Sequence, residues 1–445
     1  MKKTKWMVPL LSSLLLFSAC SNSDTDTASN NKSADGKTKV VIAVGSSNPF
    51  LEKATEKFES AHPDIDIEIK EYMAMPKTEG GMGQAASAAD MEKFIQTVTT
   101  QIMAGKGSDL ILTSDLPENK LAEKNLLVDY RGLMEKDNSF DKSKYFDNIL
   151  KSSEIGGGLY AMPFSFVPDV ITGKTDMLKK ANVNVEDKTW TWDQFKEIAK
   201  KVKSQNGEDF VAFVNMFPVQ LMAEYVEDNY SKLVEKGKAN FDSDDFRIMM
   251  KQVKSMYDEG VLKAEFTYDY DKGLFSKFSM VNPTESLVNI LKPGFEVYQK
   301  PTVKGGAQAG AYQTYFKLGM NSKSSVQKEA WEFVKFLLSD EIQSLPEMQG
   351  IPLNKNVVEK QLQKAEEAIK EGTLQVPHGK PDAKVVEARV QTMKSILEHA
   401  GLKRTSDFKV TSIILEEFQS YMSGQKTAEQ VSKLIQNRVN TYLNE

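Results

Sequence analysis

Val40-Val41-Ile42-Ala43-Val44, followed by Asn48-Pro49 and then by Ile65-Asp66-Ile67-Glu68-Ile69, is the stretch that decides the fold. The first run is short, apolar and β-branched, as a buried strand requires. Asn48 can cap a helix, and Pro49 suits a first helical turn because its missing N–H would find no partner there. Phe50, Leu51, Ala54, Phe58 and Ala61 then recur at helical spacing, and His62-Pro63 ends the run, since the residue before a proline disfavours helix. Ile65, Ile67 and Ile69 alternate with charged residues, the pattern of a half-buried strand. Strand, helix, strand opens an α/β sheet.

Working outward, residues 72 to 90 read as a loop rich in Gly, Ala and Met, and Met91, Phe94, Ile95, Val98 and Ile102 as the next helix. Asp109-Leu110-Ile111-Leu112-Thr113 reads as a strand, and the first lobe closes near residue 150. Gly156-Gly157-Gly158 interrupts the pattern. Thr191-Trp192-Asp193-Gln194 has the form of a capping box. Helical patterns dominate from about 217 to 257. Residues 316 to 320 look like a strand, 326 to 338 like a helix, and the last hundred residues are almost entirely helical in pattern.

Toward the N-terminus, Lys2, Lys3 and Lys5 precede an apolar stretch from Trp6 to Phe17, and Ser18-Ala19-Cys20 follows. The stretch is shorter than the roughly 20 residues a membrane-spanning helix needs, so it reads as a signal peptide over residues 1–19. Cys20 is the only cysteine of the 445 residues, which excludes an internal disulfide and leaves the core alone to supply stability. Its position after Phe17-Ser18-Ala19 resembles a bacterial lipobox. A diacylglycerol on Cys20 would supply the two acyl chains that stable anchoring needs. The Ser-, Asn-, Asp- and Thr-rich tract up to residue 37 reads as a flexible tether.

Removing the three lysines takes the formal charge from −5 to −8, a poor balance for binding nucleic acid. Gly173-Lys174-Thr175 imitates the end of a phosphate loop, but Pro168 stands where the first glycine belongs. Asp242, Asp244 and Asp245, and Asp269 with Asp271, lack the calcium-loop spacing and are better read as carboxylates at helix starts. His62, His378 and His399 have no metal-ligand spacing. No cofactor, metal or catalytic constellation is expected. Trp190, Trp192, Phe164, Phe166, Phe217, Tyr312, Tyr315 and Phe408 stand near turns or element ends, where rings can stack on the C–H faces of sugars; a core role competes for each.

Several stretches together resemble the extracellular solute-binding proteins of bacterial ABC importers, the branch that takes up maltose-like and other sugars. They are Val40 to Val44, Phe58 to Pro63, Asp109 to Leu112, Leu126-Leu127-Val128-Asp129 and Gly158-Leu159-Tyr160-Ala161-Met162-Pro163-Phe164. Thr191 to Phe195, Ala330 to Leu337, Gly350-Ile351-Pro352-Leu353-Asn354 and Lys426 to Gln430 complete the set, in the family's order. Thr172-Gly173 departs from the family's usual Tyr-Asn. The resemblance implies an α/β, two-lobed periplasmic-binding-protein-like fold of type II with a ligand cleft between the lobes. Residues 38–150 and 302–346 would form the N-terminal lobe, and 151–301 with 347–445 the C-terminal lobe. It implies ligand-binding positions at Asn48, Asp115, Phe217, Asn282, Glu285 and Phe408, and of the aromatics above Phe164 and Tyr312 join them as candidate binding residues. It implies a monomer that captures a carbohydrate, expected to be an oligosaccharide, and delivers it to permease subunits from the outer face of the cell membrane. A cell-surface glycoside hydrolase, which would need two facing carboxyl groups, and a surface protein that binds sugar without transporting it are the competing expectations.

Overall fold

A computed structural model describes residues 32–73, 87–207, 209–306, 309–405 and 407–444. Residues 1–19, read as a signal peptide, Cys20 and most of the stretch read as a tether lie outside the described residues, as does much of the stretch 72–90 read as a loop. Residues 31–445 form one compact unit.

Two sheets organise it. The first runs in the order Ile65–Glu71, Thr38–Val44, Leu110–Leu112, Lys317–Met320, Ala161–Pro163. Its first three strands are parallel, with Thr38 opposite Ile65 and Ile42 opposite Leu110. Parallel pairing demands a crossover, and helix Pro49–Ala61 supplies it. Asn48 caps that helix by accepting a hydrogen bond from the Leu51 amide at 2.9 Å, and Phe50, Leu51, Ala54 and Phe58 bury its inner face. Lys317–Met320 runs antiparallel to both of its neighbours. The next helix begins at Ala88, inside the stretch read as loop, because Ser87 and Asp90 form a capping box there.

The second sheet is built on Ser165–Lys174, ten residues long. Gly273–Ser279, Phe295–Gln299, Gly310–Gln313 and Ile351–Pro352 all pair with it antiparallel. Val211–Phe213 adds to Gly273–Ser279, and Ala400–Lys403 adds to Gly310–Gln313, both in parallel. The Thr191 capping box is present: Thr191 donates its amide to Gln194 Oε1 at 2.8 Å and accepts from the Gln194 amide at 3.4 Å. It opens helix Trp192–Asn206.

Two departures from the sequence reading matter. The helical stretch 217–257 contains a hairpin, Val234–Glu235 with Lys238–Ala239, between helices Pro218–Asp228 and Asp244–Asp258. The helical C-terminal region contains the strand Ala400–Lys403 between helices Ala383–His399 and Phe408–Met422.

The chain passes from the first sheet to the second with only Phe164 between Ala161–Pro163 and Ser165–Lys174. It returns through Thr314, Tyr315 and Phe316, between Gly310–Gln313 and Lys317–Met320. A third passage leads to Ile351–Pro352. There Gly350 has φ +88°, and a Cβ would stand 3.1 Å from the Phe166 carbonyl oxygen, so glycine fits both the backbone and the space. The core follows these crossings. One apolar cluster runs from the first sheet through Phe164, Phe166 and Phe316 to helices Lys355–Glu371 and Ala383–His399. A second gathers Trp190, Trp192, Phe195, Phe213 and Phe275 with helices Phe408–Met422 and Ala428–Asn444.

Candidate functional site

A cavity of about 380 Å³ lies beside the Gln313–Lys317 crossing. One wall is the loop and short helix that follow Leu110–Leu112, residues 114 to 124. The other comes from the second sheet and its helices: Glu227, Tyr230, the 234–237 hairpin, residues 403 to 407, and Tyr442 to Asn444. Loops at the C-terminal ends of sheet strands are where α/β folds bind ligands, because the strands hold them rigidly and leave their side chains free.

Each wall is fixed locally. Asp109 accepts from the Val41 amide at 2.9 Å and from Ser324 Oγ at 2.7 Å, which seats the start of its strand. Thr113 donates its amide to the Lys317 carbonyl at 3.1 Å, and Ser114 Oγ donates to the Tyr315 carbonyl. The loop is thereby tied to the crossing. Tyr315 is 63% exposed, and its hydroxyl donates to Gln313 Oε1. On the opposite wall, Asp407 caps helix Phe408–Met422 through the Lys409 and Val410 amides and accepts from the Tyr442 hydroxyl at 3.2 Å. Lys120 lies 5.8 Å from the centre of the Tyr442 ring, a contact between the two walls.

Charge defines the floor. Glu118 forms an ion pair with Lys317 of the first sheet, and its other oxygen lies 3.5 Å from Lys403 Nζ of the second. Burial opposes ionisation of Glu118, yet the two lysines outweigh it and hold its carboxyl below the ordinary value. Lys403 is pushed down to about 8, first by burial, with Glu118 opposing and Lys317 adding to the fall. Burial pushes the Asp115 carboxyl up, and Lys317 partly offsets that. Behind this floor, Arg404 reaches Asp169 at 2.9 Å, Asp228 at 3.5 Å and Glu227. Lys300 reaches Asp228 at 2.8 Å and Asp169 at 3.0 Å. Burial would raise the Asp169 carboxyl, but Lys300 and Arg404 hold it near 2. Burial raises Glu227 and Asp228 despite the same two cations.

A second cavity of about 350 Å³ shares Asn119, Glu227, Tyr230, Lys403 and Thr405 with the first and continues to Ser152, Glu154 and Gly156. The two cavities adjoin along these shared residues, Lys403 among them, and this shared zone is the waist of the cleft.

Of the eight candidate binding positions, Asp115 lines this cleft. Phe408 is half-buried, one residue past the cavity wall at Asp407. Asn48, Asn282 and Glu285 stand at helix starts. Asn282 accepts from the Glu285 amide at 2.8 Å and holds the Glu285 carboxylate at 3.4 Å. Phe217 is half-buried ahead of helix Pro218–Asp228. Phe164 and Tyr312 are fully buried. Phe164 packs on Phe316, and the Tyr312 hydroxyl meets Ser152, Ser153 and the Ile149 carbonyl. Among the eight aromatics singled out, Tyr315 is the one on the cavity wall, whereas Trp190 and Trp192 belong to the second core. Sequence reasoning did not reach Glu118, Lys317, Lys403, Arg404 or Glu227. The signal available for two of them was the adjacent basic pair Lys403-Arg404.

Arg247 pairs with Asp242 and Asp244 at the start of Asp244–Asp258, while Lys272 and Lys174 pair with Asp269 and Asp271. Among the described residues no group of three or more His, Cys, Asp or Glu side chains is placed to hold a metal ion, and no helix is long and apolar enough to cross a membrane.

Residues 44–344 match the model of the bacterial extracellular solute-binding protein family. A lactose-binding protein of Rhizobium radiobacter is 25% identical over 164 residues, which are 37% of this chain and 35% of that protein, so the chain spans about a third of the curated relative it matches. The sugar-binding protein MalE of Xanthomonas citri superposes with a TM-score of 0.60 at 14% identity, over 92% of this chain and 98% of that one. A sugar transporter protein of Rhizobium etli in an open conformation gives 0.57 at 15%, over 90% and 99%. A substrate-binding protein of Listeria monocytogenes in complex with cycloalternan gives 0.55 at 16%, over 92% and 99%. These are two-lobed binding proteins, and this chain shares their fold.

Proposed function

The chain belongs to the bacterial extracellular solute-binding protein family, and we propose that it captures an oligosaccharide in the cleft between the two sheets and delivers it to an ABC permease. The observation that carries this reading is the exposed Tyr315 ring, which lines the same cavity as Gln313, Thr314, Asn119 and Thr405, with the second cavity adjoining it. A sugar offers apolar C–H faces to such a ring and hydroxyls to such amides and alcohols. The known ligands of the similar proteins, lactose and cycloalternan among them, agree with it.

The mechanism follows from which segments form the walls. They belong to different sheets joined by a few crossing residues, so a solute that touches both binds the closed arrangement better than the open one and shifts the population toward it. Closure is binding work, and no bond need break. Glu118 and Glu227 are held in ion pairs, which suits a binder better than a hydrolase needing a free acid and base. The protein acts as a monomer, and a diacylglyceryl group on Cys20 keeps it beside the permease at high effective concentration.

The test is a thermal-shift panel of mono- and oligosaccharides. A ligand at 100 times its Kd stabilises by about 2.7 kcal/mol. If no sugar raises the Tm, the carbohydrate assignment fails. Release of reducing sugar from a bound oligosaccharide would replace the binder by a hydrolase. Acyl labelling that survives Cys20→Ala would remove the anchor.

A further inference from the structure

The waist of the cleft is cationic in a way that a neutral sugar does not answer. Lys317 and Lys403 reach it from different sheets, each with a side chain only 10% exposed, and both approach the one carboxylate of Glu118. Lys317 makes the close contact and also favours the ionised form of the buried Asp115. Lys403 has only the 3.5 Å approach to the other oxygen of Glu118. The nearby anions are already engaged: Glu227 with Arg404, and Asp407 with its helix cap and Tyr442. Glu123 stands exposed beside Lys124. Lys403 thus shares its carboxylate with Lys317, and a buried ammonium with a shared counter-ion keeps part of its desolvation cost. Its depressed proton affinity, near 8, expresses that deficit.

Lys403 lines both cavities, so its ammonium is within reach of whatever fills the cleft. We propose that the solute is an acidic saccharide whose anionic group docks on Lys403 at the waist, supplying the missing counter-charge while its neutral rings lie against Tyr315. This deepens the oligosaccharide reading and rests on it. A uronate carboxylate and a sugar phosphate present the same chemistry to an ammonium, although the planar carboxylate matches the partner Lys403 already has in Glu118.

The experiment is titration calorimetry on the full-length protein in detergent at pH 7, with trigalacturonate, glucose 6-phosphate and maltotriose as probes. An acidic probe is expected to bind at least tenfold more tightly than maltotriose, and the one that does so identifies the anion. Lys403→Met is expected to lose that acidic affinity by tenfold or more, while Lys403→Arg, which keeps the charge, retains most of it. Maltotriose binding as tightly as both acidic probes overturns the inference and leaves the sugar reading intact. An acidic preference unchanged in Lys403→Met also overturns it. If none of the three probes binds, the inference falls together with the oligosaccharide reading.

Discussion

Glu118→Gln puts the electrostatics of the floor to the test. Glu118, Lys317 and Lys403 keep only 8%, 10% and 10% of their side chains exposed, so water screens their charges poorly. Replacing the carboxylate by an amide leaves two buried ammoniums without the carboxylate they share, and only Asp115, on the Lys317 side, to offset them. Removing one partner from a buried pair costs about 3–5 kcal/mol. Lys403 can relieve part of the repulsion by shedding its proton, which from its folded value near 8 costs about 1.4 kcal/mol at pH 7. The expected loss at pH 7 is therefore about 3–5 kcal/mol, read by urea denaturation of the ligand-free protein. The sign of its pH dependence is also fixed. A lysine whose folded-state pKa is depressed binds fewer protons folded than unfolded, so stability rises with pH until the unfolded value is passed. In wild type that window opens near 8, where Lys403 titrates, and in Glu118→Gln it opens lower. Between pH 7 and 8 the variant gains stability that wild type does not, and above 8 both gain alike, so the deficit should shrink by about 1.4 kcal/mol by pH 9.5. A loss under 1 kcal/mol at pH 7, or a loss that does not shrink by pH 9.5, would refute the shared-carboxylate argument.

Tyr315→Ala should weaken saccharide binding by about 1–2 kcal/mol, roughly 5–30-fold in Kd, because it removes the apolar platform. It should change unfolding stability by less than about 0.5 kcal/mol, since the ring is mostly exposed; calorimetry and denaturation together check both. Phe164→Ala should cost about 3–5 kcal/mol in stability, measured in urea, because it opens a void against Phe316 in the core at the crossing. Asn282→Ala should cost about 1 kcal/mol through its lost cap and leave the saccharide Kd within twofold. Asp169, held near 2 by Lys300 and Arg404, contributes stability that is complete above its ordinary value of 3.8 and is lost as pH falls from there toward 2. Asp169→Asn should therefore flatten the acid limb of the stability profile in that interval, followed by circular dichroism.

The opening of the first sheet was legible because its signals are local. The isoleucines of 65–69 alternate, Asn48-Pro49 can begin a helix, and His62-Pro63 ends one, each within reach of its own neighbours. Ala400–Lys403 carries no such signal. Its four residues include a glycine and only two apolar side chains, and it is a strand because Gly310–Gln313 offers it an edge. The aromatics failed for a related reason. A ring near a turn has the same sequence context whether it faces a cleft, as Tyr315 does, or a core, as Phe164 and Trp190 do. The floor was the least legible part. A buried charge must have a partner, so Glu118 could be expected to find a lysine, but that its lysines would be Lys317 and Lys403 is decided by topology. That topology also binds recognition to motion. Glu118 and Lys317 belong to one wall and Lys403 to the other, so the contact that sets the charge of the site also ties the walls together. An anionic solute at Lys403 would share it with Glu118 and bridge both walls at once. In this cleft, whatever changes the charge at the waist should change ligand choice and closure together.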